Sequence, residues 1–166
     1  MELVYFDSSV FLAIFAGEPT QTDIKLLIRE LRADSVRICT SILTIQEVSV
    51  LSFRAGTPVA DNHSKVDRMA RIHGITCDIA LTAAKFEAHI GQGMQGKSEE
   101  ERRASKRRRK VDCFHIATAV HLGCRCLYTL DEEMLTSRSV LSISMEFSRP
   151  APRRGVLFPE ESLRLN

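Results

Sequence analysis

Four acidic residues, Asp7, Glu47, Asp112 and Asp131, occupy positions from which one shared chemistry could be built. Asp7 directly follows the apolar run Leu3 to Phe6, Asp131 closes the run that begins at Cys126, and Asp112 stands in the first turn expected for an apolar helix from Val111 to Leu122. In an open parallel sheet, ligands collect beyond the carboxyl ends of the strands, so three of the acids come from the same kind of place. Glu47 has Leu43, Val50 and Leu51 as its i−4, i+3 and i+4 neighbours and is expected on an apolar helix face. There an ionised carboxylate is costly unless something pairs with it. Two like charges about 4 Å apart repel by roughly 4 kcal/mol at an effective dielectric near 20, so converging acids call for a cation. Mg²⁺ or Mn²⁺ takes carboxylate and water oxygens and bridges to substrate phosphates, which points to phosphodiester chemistry rather than redox or zinc chemistry.

Each acid also has a local reading. Asp112 could cap its helix, Asp7 could form an Asx turn into Ser8 and Ser9, Asp131 could cap a helix begun by Glu132, and Glu47 could pair with Arg54. Residue types and spacing leave these open beside a shared metal site.

The elements that must carry the acids follow from periodicity. Leu3–Phe6 reads as a strand, Val10–Ala16 as a helix closed by Gly17 and Pro19, Thr22–Leu31 as a helix, and Arg37–Thr40 as a second strand. Ser41 is an N-cap candidate for a helix over Ile42–Ala55, which Gly56 and Pro58 end. Val66–Ile72 reads as a helix, Gly74–Asp78 as a strand and Thr82–Ile90 as a helix. Ser98 with Glu101 makes a capping box, so the basic stretch Glu99–Lys110 is expected to be helical and could project from the domain. Cys126–Thr129 reads as a strand and Ser142–Phe147 as a last edge strand. Strands alternating with helices require a mostly parallel sheet covered on both faces, a three-layer α/β/α sandwich.

The bulk numbers fit a single domain. The 166 residues contain no run near the roughly 20 apolar residues of a spanning helix, and no signal peptide is read at Met1-Glu2, so a cytoplasmic protein with no membrane contact is expected. Five cysteines, Cys39, Cys77, Cys113, Cys124 and Cys126, sit in apolar stretches, as buried reduced thiols do, and lack paired C-x-x-C zinc knuckles. The formal net charge of +2 is too small to imply nucleic acid by itself, but positive charge gathers between Lys97 and Lys110.

Four blocks, in this order, resemble the motifs of the PIN-domain nucleases. They are Val4-Tyr5-Phe6-Asp7-Ser8-Ser9, Ser41-Ile42-Leu43-Thr44-Ile45-Gln46-Glu47-Val48, Asp112-Cys113-Phe114-His115-Ile116-Ala117-Thr118-Ala119, and Leu127-Tyr128-Thr129-Leu130-Asp131. The likeness runs from Leu3 to Asp131, with VapC-type toxins the nearest subgroup. It implies a PIN-like fold, a Mg²⁺ or Mn²⁺ site held by Asp7, Glu47, Asp112 and Asp131, with Ser9 and Thr129 orienting them, and in-line attack of water on an RNA phosphorus. It also implies a toxin role with an antitoxin partner, and a homodimer is expected. His115, one turn after Asp112, could touch the site or simply be packed.

Two features depart from the family pattern. A basic insertion spans 93–110 within a domain of residues 1–148, and a proline-containing tail covers 149–166. Lys106, Arg107, Arg108, Arg109 and Lys110 border Asp112 and are expected to bind RNA, the alternatives being a solvated helix face or a contact for an acidic partner. Competing functions are a catalytically silent RNA-binding or assembly module, and a phosphatase with Asp7 as nucleophile. The latter lacks the D-x-D turn, Ser9 standing where the second acid belongs.

Overall fold

A computed structural model describes residues 2–56, 58–91 and 99–153, with side chains at all of these except 60, 91 and 99–108. Its strands are β1 (Leu3–Phe6), β2 (Arg37–Ser41), β3 (Arg71–His73), β4 (Cys126–Tyr128) and β5 (Glu146–Ser148). Between them run α1 (Ser8–Ala16) and α2 (Gln21–Ala33), then α3 (Ile42–Ala55) and α4 (Val59–Met69), then α5 (Cys77–Gly91) and α6 (Glu99–His121), and finally α7 (Glu132–Leu141). The strands form one sheet in the order β3-β2-β1-β4-β5 with every pairing parallel.

Alternation along the strands explains the layers. Val4 and Phe6 of β1, Ile38 of β2, and Cys126 and Tyr128 of β4 point to one face, where they pack with Val10, Phe11, Leu27 and Val48 from α1, α2 and α3. Tyr5, Cys39 and Leu127 point to the other, against Ile116 and Ala119 of α6 and Met134 of α7. Both faces are therefore apolar, as a parallel sheet between helical layers requires. The expected three-layer α/β/α sandwich is the observed one.

The chain leaves β1 toward β2 and β3, then returns to place β4 on the other side of β1. The carboxyl ends of β1 and β4 thus flank the point where strand order reverses, the place where such sheets open a ligand crevice. Asp7 follows β1, and the Asp7 N–H donates to the Tyr128 carbonyl at the end of β4.

Four boundaries differ from the sequence expectation, the last of them at β5, which spans Glu146–Ser148 where the reading places a strand over Ser142–Phe147. The region expected as helix Val66–Ile72 and strand Gly74–Asp78 is instead α4 over Val59–Met69 followed by β3 over Arg71–His73. The segment of α4 is strongly polar and buries Val66 but few other side chains, so its apolar period is faint. The short edge strand β3 begins with an exposed Arg71 and lacks the apolar run of an interior strand. Helix α5 begins at Cys77, ahead of Thr82, and the Thr76 hydroxyl accepts from the Ile79 N–H at its start.

The third difference bears on the site. The two helices expected over Glu99–Lys110 and Val111–Leu122 are one helix, α6, of 23 residues. No glycine or proline interrupts Glu99 to His121, so nothing in the backbone ends the first helix. Asp112 therefore lies in a helix interior, and the reading of it as a helix cap falls. The Ser98 capping box lies outside the described residues.

Candidate active site

Asp7 is the N-cap of α1 and is 2% exposed. Its Oδ1 accepts from the Ser9 hydroxyl at 2.6 Å and from the Val10 N–H at 3.4 Å, and its Oδ2 accepts from the Thr129 hydroxyl at 2.7 Å. Burial pushes the carboxyl above its ordinary range, while His115 when protonated and the bonds from Ser9, Thr129 and Val10 pull the other way without prevailing.

Ser9 and Thr129 bind the turn after β1 to the turn after β4. Ser9 Oγ accepts from the Leu130 N–H at 2.8 Å, and Thr129 Oγ1 accepts from the Asp131 N–H at 2.9 Å. Each hydroxyl holds an acid with its proton and a backbone group with its lone pair. Asp131 in turn caps α7, its Oδ1 accepting from the N–H groups of Glu133 at 2.8 Å and Met134 at 3.2 Å. The local reading of Asp131 as a cap is thus correct as geometry, whereas Asp7 is an N-cap bonded to the Val10 N–H rather than an Asx turn, and the caps place both acids at the same sheet edge.

Asp112 reaches that edge from α6. Burial comes first among the causes that raise its carboxyl to about 7, followed by the charge of Asp131; His115 opposes, and Asp7 and Glu47 raise it further. All four acids therefore share one electrostatic field. Among the described residues no lysine or arginine forms an ion pair with Asp7, Asp112 or Asp131.

Glu47 departs from its expected setting. Its side chain is 29% exposed and its neighbour Leu51 is 44% exposed, so this turn of α3 borders solvent and is not an apolar burial face. Its partner is not Arg54 but His115, whose Nε2 lies 3.0 Å from Glu47 Oε2. Burial would raise the Glu47 carboxyl, yet the bond from His115, its charge when protonated, and Ser8 outweigh it and hold the group below its ordinary range. His115 is 1% exposed, and its Nδ1 lies 2.7 Å from the Tyr5 hydroxyl. It is both packed and bonded to a candidate acid.

The sequence reading missed Tyr5 and Ser8. A tyrosine inside an apolar strand was the available signal, because a buried phenol needs a polar partner.

Do these residues suit a divalent cation? Their oxygens are the right donors, and their mutual charge lacks compensation from lysine or arginine among the described residues. Among the described residues no three acidic, histidine or cysteine side chains form a ready-made ligating group. The donor chemistry fits, and the side chains are not closed around a common point.

Of the basic residues, Arg109 is half-buried and Lys110 exposed, and the side chains of Lys106, Arg107 and Arg108 lie outside those described. Four of the five cysteines are buried and free as expected, whereas Cys77, at the start of α5, is exposed. No described helix is long and apolar enough to cross a membrane.

A family model described as the PIN domain matches residues 4–137, a span containing all four acids. The chain belongs to the PIN-domain family. The PIN fold is shared with VapBC-1 from nontypeable Haemophilus influenzae, at a TM-score of 0.58 and 12% identity over 89% of this chain and 97% of that one. It is shared with VapC20 of Mycobacterium tuberculosis, described as a Sarcin-Ricin loop cleaving toxin, at a TM-score of 0.56 and 16% identity over 86% and 98% of the two chains. A toxin-antitoxin complex from Klebsiella pneumoniae gives a TM-score of 0.58 and 16% identity over 89% and 97%. Among curated proteins none matches the chain by sequence.

Proposed function

We propose that this PIN-domain protein is a Mg²⁺- or Mn²⁺-dependent endoribonuclease and the toxin of a toxin-antitoxin pair. The observation that carries the reading is the cluster of Asp7, Glu47, Asp112 and Asp131 at the switch point of the sheet, with Asp112 raised to about 7 by burial and by its acidic neighbours. Membership of the PIN family supports nuclease activity, and the toxin-antitoxin structures that share the fold support a toxin with an antitoxin partner.

The four acids would hold the cation, in part through water, since Mg²⁺ keeps several waters and these side chains do not close on one point. When bound, the cation supplies Lewis acidity, making water a better nucleophile and offsetting charge on the transferring phosphoryl group. The chain's own residues do the rest. Ser9 and Thr129 orient the Asp7 carboxylate, the α7 cap fixes Asp131, and His115 holds Glu47. Lys106 to Lys110, continuing N-terminally along the helix that bears Asp112, would attract the RNA backbone, so affinity should fall with salt.

The test is cleavage of RNA by purified protein. Cutting with Mg²⁺ or Mn²⁺, loss with chelator, and loss in folded Asp112→Asn are expected. Equal cleavage by wild type and Asp112→Asn would assign the activity to a contaminant and remove the proposal.

A further inference from the structure

A line of side chains runs through the sheet's α6 side to Glu47, joining β1, α6 and α3. Tyr5, 0% exposed, meets His115 Nδ1 at 2.7 Å, and His115 Nε2 meets Glu47 Oε2 at 3.0 Å. Tyr5 and His115 are 110 positions apart, and His115 and Glu47 are 68 apart, so no local structure explains the line.

Donor and acceptor rules give it a direction. A carboxylate only accepts, so a hydrogen must sit on His115 Nε2. A tyrosine phenol carries its proton at neutral pH, its ordinary pKa being about 10. That proton has His115 Nδ1 at 2.7 Å as an acceptor. The order is Tyr5 to Nδ1, and Nε2–H to Glu47.

We infer that Tyr5 fixes His115 in its Nε2–H tautomer and that His115, so fixed, is the positioning residue that draws Glu47 from solvent toward the acidic edge. The tether has work to do. Glu47 is 29% exposed on a helix face that borders solvent, where an untethered glutamate samples many rotamers. A polar partner beyond a candidate ligand shapes its affinity for a cation through orientation. The inference depends on the nuclease reading only for what Glu47 does once held.

Two measurements test it. In metal-free, ¹⁵N-labelled protein at pH 8, with the His115 signals assigned by comparison with His115→Gln, a pyrrole-type Nε2 and a pyridine-type Nδ1 are expected. Tyr5→Phe, which keeps the ring and deletes the hydroxyl, should move the Nδ1 resonance. A pyridine-type Nε2, two pyrrole-type nitrogens, or signals unmoved by Tyr5→Phe would overturn the relay. In the second measurement, titration with Mn²⁺ should show affinity about tenfold weaker in His115→Leu. His115→Gln, whose amide N–H can still donate, should recover most of it, with the RNA KM unchanged in both variants. Wild-type affinity in His115→Leu would overturn the positioning role. A wild-type protein that binds no Mn²⁺ would end the nuclease reading, while the tautomer measurement would still decide the relay.

Discussion

The acidic edge has two halves built by different means. On the turn side, Asp7 and Asp131 are helix N-caps placed by local backbone geometry and cross-braced by Ser9 and Thr129. On the helix side, Asp112 and Glu47 project from α6 and α3, and their placement depends on how those helices dock. The Asp112 side chain accepts no hydrogen bond among the described residues, and Glu47 rests on His115. The turn acids serve the fold and the site together. Asp112 serves the site at a cost to the fold.

The largest expected effect comes from exchanging these roles. Asp112→Asn should abolish cleavage while stabilising the metal-free protein at pH 8, by at most about 4 kcal/mol, the worth of a raise of about three pH units. Asp131→Ala should also abolish cleavage yet destabilise by about 1 kcal/mol, because α7 loses its cap. Thermal melts of the two variants check the pair, and the same sign in both would erase the distinction between the halves.

The pH dependence follows from Asp112. Its folded pKa of about 7 lies above the unfolded value, so between about pH 4 and pH 7 the folded state binds more protons. Stability of the metal-free protein should therefore fall as pH rises through that window. Asp7, also raised, acts in the same direction. Glu47, lowered, opposes it only at lower pH, where its stabilising contribution is lost as pH falls through its folded pKa. Melts from pH 5 to pH 8 should show a decline that Asp112→Asn flattens and that Mn²⁺ offsets near pH 8. A wild-type slope of zero would mean the acids are compensated in a way the structure does not contain.

A smaller effect is expected within the turn half. Thr129→Val leaves the Asp131 N–H and one Asp7 oxygen without their partner and should cost about 1–3 kcal/mol. Chemical denaturation measures it, and a neutral result would mean that Ser9 alone joins the two turns.

The sequence was most legible where chemistry is local. Ser41, Gly56 and the apolar runs of β1 and β4 announce their elements because a cap, a left-handed turn and an interior parallel strand each have their own composition. It was least legible at α4 and β3, a polar helix and an edge strand whose places are set by neighbours. The same divide runs through the site. Asp7 with Ser9, and Thr129 with Asp131, are near neighbours whose bonds the motif spacing already suggests. The Tyr5–His115–Glu47 line joins residues far apart in the chain, and no periodicity reports a contact of that kind.

The most direct measurement is anomalous scattering from crystals soaked in Mn²⁺. A manganese peak among Asp7, Asp112 and Asp131, with Glu47 turned toward it, is the expected result. Saturating Mn²⁺ that leaves this edge without a peak, or places one only elsewhere on the surface, would contradict the proposal that these four acids share a cation.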